Sequence, residues 1–136
     1  MRVRSWLLVA AAVLATTALL AQGRGIPNYD PKTEVKVAGT IDEVQQVPGR
    51  RNWTGTHLIL KTESETLEVH AGPSSYIAGQ HFSFAKGDQI EVLGSRVTLS
   101  GKPVLLAREI TRDGKTLVLR DAQGIPQWSG GRRNPN

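Results

Sequence analysis

The chain has 136 residues, with 17 Lys+Arg against 12 Asp+Glu for a net charge of +5, and no cysteine. That length holds one domain at most and is too short for a large catalytic α/β architecture. The missing cysteine excludes disulfides, iron–sulfur clusters, thiolate zinc sites, c-type haem attachment and cysteine nucleophiles, so any metal must be held by histidine, carboxylate or backbone.

Residues 1–23 read as a secretory signal peptide. Arg2 and Arg4 charge its start, residues 6–20 run without charge, and Ala21-Gln22-Gly23 offers small residues for cleavage. The apolar run is shorter than the about 20 residues a spanning helix needs, so no stable membrane span is expected after cleavage. No cysteine follows it for a lipid anchor, and Arg2 and Arg4 are not adjacent as the twin-arginine route requires. Removing 23 residues leaves 113, and the two arginines that go with them lower the net charge from +5 to +3. The domain expected in the periplasm or outside the cell is therefore only mildly basic, and whole-chain charge overstates the case for nucleic acid.

Residues 24–32 hold Gly25, Pro27, Asn28 and Pro31, an irregular arm. Val35, Val37 and Ile41 then alternate with Glu34, Lys36 and Asp42, which predicts a half-buried strand over 33–47 with a bulge or bend at Gly39. A polar, glycine-bounded loop covers 48–55. Strands over 56–62 and 66–71 follow, with the turn near Glu63-Ser64-Glu65-Thr66. Pairing Thr62 with Leu67 sets Leu60 opposite Val69, Leu58 opposite Ala71 and Ile59 opposite His70. Leu58, Leu60, Leu67 and Val69 then share the core face, and His57, Ile59, Lys61, Glu68 and His70 the other. Gly72-Pro73 breaks the strand, and 74–84 lacks alternation, so a short helix or compact turn is expected there. A strand over 89–99 changes parity around Gly94, which suggests a bulge. Ser100-Gly101 and Asp113-Gly114 are two-residue hairpin signals, giving strands over 103–112 and 116–120. In the second hairpin Ile110 faces Leu117 and Arg108 faces Leu119. Residues 121–136 read as a flexible tail around Trp128.

Strand, long loop, hairpin, short helix and further antiparallel strands is the order of an OB-fold-like barrel. The predicted class is all-β with one short helix, a five- to six-stranded antiparallel barrel over 33–120. An open β-sandwich of another topology is the alternative.

The segments 57–62 (HLILKT), 69–73 (VHAGP), 87–95 (GDQIEVLGS) and 119–121 through 126–128 resemble an uncharacterised family of small exported bacterial proteins with an OB-like domain. The resemblance implies a bacterial periplasmic setting and an OB-like barrel. It implies no activity and carries no catalytic residues.

Enzyme motifs are absent. Gly72-Pro73-Ser74-Ser75 is not a nucleophile elbow, and no phosphate-binding glycine loop is present. Glu63, Glu65 and Glu68 read as a solvated hairpin, with Glu68 opposite Lys61. His57 and His70 fall on one face as diagonal neighbours that two imidazoles can bridge to a metal ion, with His81 a conceivable third ligand; the plainer reading is two ordinary surface side chains. Arg108 on the core face is expected to snorkel out or pair with an acid.

The loop residues Arg50, Arg51, Asn52 and Trp53 are the candidate ligand-binding set, because OB barrels grip ligands with this loop and a guanidinium pair beside an indole suits anionic or stacked groups. Trp53 folding back over the barrel end is the competing reading, and Trp128 is expected to tie down the tail. The function expected is a non-enzymatic exported binding module, with no cofactor. Its ligand is a protein, a small anionic molecule or an oligonucleotide, the last by fold analogy only. The alternative is a periplasmic metal-binding protein using His57 and His70.

Overall fold

A computed structural model describes residues 28–129. The leader expected at 1–23, the start of the arm and residues 130–136 lie outside them. Among the described residues no helix is long and apolar enough to cross a membrane.

A 3₁₀ turn, Pro31–Thr33, leads in, capped by the Asp30 carboxylate accepting from the Lys32 N–H. Strand β1, Glu34–Pro48, then serves two neighbours: its first half pairs with β4, Gln89–Leu99, and its second with β2, Thr54–Lys61. One strand shared this way has to bend. The bulge lies at Ile41/Glu43, just beyond the bulge or bend expected at Gly39, which itself stays in register opposite Ile90. Gly39 is needed for close approach instead, since a Cβ there would stand 2.6 Å from the Lys61 carbonyl oxygen.

Strands β2 and β3, Thr66–Pro73, form the expected hairpin in a different register. Leu60 faces Leu67, Leu58 faces Val69, Ile59 faces Glu68 and His57 faces His70. The tighter turn causes the difference. Thr62 donates its N–H to the Glu65 carbonyl, and its Oγ1 accepts from the N–H groups of Ser64 and Glu65, so Lys61 pairs with Thr66 and each partner moves two residues. A two-residue shift preserves parity. Leu58, Leu60, Leu67 and Val69 are accordingly all in the core, as the alternation predicts.

The helix α1, Ser74–Gly79, starts directly after Pro73 and buries Ile77, a short helix where 74–84 was expected to hold one or a compact turn; Gln80 caps it and His81 takes left-handed backbone. Strand β5, Lys102–Arg112, returns along β4, and β6, Lys115–Val118, along the end of β5. Both hairpins turn on residues with positive φ: Ser100 at 51° with Gly101 at 79°, and Asp113 at 52° with Gly114 at 77°. These are the mirror-image turns whose twist suits antiparallel strands. The β4 bulge falls at Leu93/Gly94, where a Cβ on Gly94 would collide with the Leu106 carbonyl.

The ring closes as β1-β2-β3-β5-β4, with β6 as an extra strand. This is the predicted all-β barrel with one short helix, and closure sets aside the open sandwich. The pair that closes it is parallel: Glu68, Val69 and His70 run alongside Val104, Leu105 and Leu106. Five strands in a ring cannot alternate direction all the way round, so the predicted antiparallel barrel requires one parallel pair.

After β6 the described part of the segment expected as a flexible tail, residues 121–129, folds back on the barrel. Asp121 accepts the N–H groups of Gln123 and Ile125, Arg120 bridges to Pro126, and the 3₁₀ turn Gln127–Ser129 sets Trp128 against the core. Burial of that indole fastens the described residues of this segment to the core. Arg108 meets the second expectation for it: the Leu119 N–H donates to its carbonyl, while its Nη1 lies 2.6 Å from Glu34 Oε1.

Candidate functional site

The alternation of β2 and β3 turns Leu58, Leu60, Leu67 and Val69 inward and leaves His57, Glu68 and His70 on the outer face. Because His57 and His70 are direct cross-strand partners, not diagonal ones, their rings stack with centroids 3.8 Å apart and planes inclined by 14°. Glu68, two residues before His70 on the same face, closes the group. Its Oε1 lies 3.1 Å from His57 Nδ1 and 2.8 Å from His70 Nε2. The reading of Glu68 as a solvated partner of Lys61 is thereby corrected: Ile59 stands opposite it, and its carboxylate serves the two imidazoles.

The trio is half-buried, with side-chain exposures of 20% for His57, 18% for His70 and 32% for Glu68. Burial pushes the His57 imidazole below its usual range and the His70 ring adds to this, with Glu68 opposing. Burial acts against the Glu68 carboxylate, yet hydrogen bonds and charge from His70 and His57 together hold it below the ordinary carboxylate range. The result is a carboxylate flanked by two nitrogens, held on a pair of hydrogen-bonded strands. One ligand-type atom from each residue lies within 4.8 Å of the others, a geometry compatible with a two-histidine, one-carboxylate metal set. His81 is not among them. Glu63 is exposed, and Glu65 pairs with Arg96 at 2.5 Å.

The loop between β1 and β2 is a 3₁₀ turn, Arg50–Asn52, in which Arg51 and Asn52 both take left-handed backbone at φ 56° and 63°. The Gly49 N–H donates to the Trp53 carbonyl and the Trp53 N–H to the Arg50 carbonyl, which ties the loop across its base. Arg50, Arg51, Asn52 and Trp53 are all exposed, Trp53 by 53%, and the indole lies outside the core cluster. Trp53, Gly55 and His57 follow one another at the two-residue spacing of one strand face. A Cβ on Gly55 would lie 3.8 Å from His57 Nε2, so this glycine leaves the His57 ring open on that side.

Sequence reasoning set His57, Glu68 and His70 on one face but gave Glu68 to Lys61 and not to the histidines. The signal was available, since Glu68 and His70 are two apart on one strand and must share a face. Comparison with curated proteins gives no match. A family model does match, over residues 33–117, running from the entry of β1 into β6 and spanning both the loop and the trio; it leaves out the 119–128 segment of the resemblance. With the whole barrel ring inside that match, the chain belongs to the MamS/MamX magnetosome protein family.

Proposed function

We propose that this chain is a non-enzymatic binding module, exported to the bacterial periplasm or beyond, that takes an anionic partner on the outer face of β2 and β3 and the loop before β2. Membership of a magnetosome protein family extends the reading to a binding component acting at magnetosomes. The ring order, with the helix between the third and fourth strands, supports treating the barrel as OB-like, and such barrels use this face and this loop for ligands. The charged start, apolar run and small-residue site in 1–23 support export.

The carrying observation is a loop in which the exposed Trp53 follows two exposed arginines in the chain, with Arg51 and Asn52 in left-handed backbone. Backbone of this kind costs about 1 kcal/mol or more per residue and concentrates at ligand clamps. The test is fluorescence anisotropy with a labelled acidic peptide and a labelled oligothymidylate, each at two salt concentrations. Arg50→Glu with Arg51→Glu should weaken the bound probe at least tenfold and flatten its salt dependence. The proposal fails if neither probe binds, or if the double reversal leaves binding unchanged.

A further inference from the structure

We propose that His57, Glu68 and His70 form a binding site for one divalent first-row transition ion on the outer face of the β2–β3 hairpin. This rests on the binding face proposed above, adding an ion to which an anionic partner can coordinate, and it does not require the loop to be a platform.

Three features of the geometry carry it. The donor atoms belong to neighbouring strands whose register sets the two histidines directly opposite, so the ladder holds the ligands in place without any contribution from a loop. The atoms already converge on one point, because His57 Nδ1 and His70 Nε2 address the same carboxylate oxygen at 3.1 and 2.8 Å. The third is open space. Gly55 carries no side chain beside His57 Nε2, so the far edge of the ring has room to tilt as Nδ1 turns to an ion.

Imidazole nitrogen ligates an ion at about 2.0–2.1 Å, and carboxylate oxygen at about 2.0–2.2 Å. An ion therefore enters where the two N–H hydrogens now point at Glu68, drawing donors now within 4.8 Å of one another closer by tilting the stacked rings. The proton balance is simple. Each neutral imidazole ligates through the nitrogen that now faces Glu68 and carries its single proton on the other nitrogen, which for His57 is the one beside Gly55. Two imidazoles and one carboxylate suit zinc, copper, nickel or ferrous iron and disfavour calcium and magnesium, which take oxygen ligands. Three protein donors leave further positions for water or for an anionic group of a partner.

A hydrogen-bonded trio that merely steadies the hairpin is the competing explanation, and metal titration separates the two. Tag-free chain, stripped with chelator, is titrated with Cu²⁺ and Zn²⁺ by calorimetry, with Mg²⁺ and Ca²⁺ as controls. One ion per chain is expected for Cu²⁺ and Zn²⁺ and none for the controls. His57→Ala, His70→Ala and Glu68→Gln should each weaken binding at least tenfold. Electron paramagnetic resonance of the Cu²⁺ form supplies a second readout on the native chain: coupling to two imidazole nitrogens is expected, falling to one in either histidine variant that retains its circular dichroism spectrum. Absence of binding, affinity unchanged in the His57→Ala, His70→Ala double variant, or a Cu²⁺ spectrum without two imidazole nitrogens overturns the site. Arg50→Glu with Arg51→Glu leaves metal affinity unchanged here, so failure of the loop reading and failure of the metal site are distinguishable.

Discussion

Trp128 lies on Gly72, its ring so close that a Cβ at position 72 would stand 2.9 Å from two of its carbon atoms. Gly72 also sits at φ 133°, which side-chain-bearing residues rarely adopt. The same indole stacks obliquely on Tyr76, at 5.6 Å, and receives the Arg120 guanidinium at 5.1 Å. The C-terminal segment is therefore fastened to β3 by one aromatic side chain on one glycine. Trp128→Ala should cost about 2 kcal/mol or more in urea denaturation, below the largest core truncations because the ring is half-buried. Gly72→Ala should be destabilising too, and the double variant should cost less than the sum of the two, since removing the Trp128 ring also removes what the new methyl collides with.

Trp53 is expected to behave in the opposite way. With the indole 53% exposed and outside the core, Trp53→Ala should change unfolding free energy by no more than about 0.5 kcal/mol. A loss of about 3 kcal/mol in the same measurement would mean that the ring covers the barrel end, and the binding loop would lose its anchor.

The Glu34–Arg108 pair joins the start of β1 to β5. Arg108 Nη1 approaches Glu34 Oε1 at 2.6 Å, Tyr29 Oη donates to the same oxygen at 3.0 Å, and Arg108 Nε is buried with no partner. Glu34→Gln leaves the guanidinium without its only carboxylate among the described ion pairs and should cost about 1 to 2 kcal/mol, read as a lower urea midpoint at unchanged m-value.

Acid should destabilise the metal-free barrel in two steps. His57 titrates below 6.5 in the folded chain, so the unfolded chain takes up that proton first; its contribution is complete above pH 6.5 and is lost as pH falls through the folded value. Glu68 titrates below 4.5 when folded, so its contribution is complete above pH 4.5 and is lost as pH falls further. The groups facing His57 are His70 and Glu68 from β3 and the neutral Gln45 from β1. Melting temperature with chelator present should hold level above pH 6.5 and decline below it. Glu68→Gln should shrink the second step, and a flat profile down to pH 4 would contradict the assignment of the first step to His57.

Much of the barrel was legible in side-chain order alone. Alternation in 57–62 and 66–71 assigns Leu58, Leu60, Leu67 and Val69 to the interior whatever the exact pairing, because burial depends on parity and parity repeats every two residues. Ser100-Gly101 and Asp113-Gly114 announce their turns because few residues accept positive φ at both positions. The absent cysteine and the mildly basic balance likewise restrict the chemistry before any coordinate is known.

Position along a strand is a different matter, since a slip of two residues leaves every side chain on its own face. Only the Thr62 hydrogen bonds decide that slip, and with it whether His57 meets His70 squarely, and where Glu68 falls between them. Nothing local in β3 or β5 states that they lie side by side; that parallel pair exists because an odd ring has to close. Trp128 likewise reaches Gly72 only through the folding back of residues 119–129. The sequence by itself determined faces, turns and fold class through short-range periodicity, whereas the register, the closing pair and the His57–Glu68–His70 trio were decided by contacts between residues distant in the chain, which only the tertiary structure brings together.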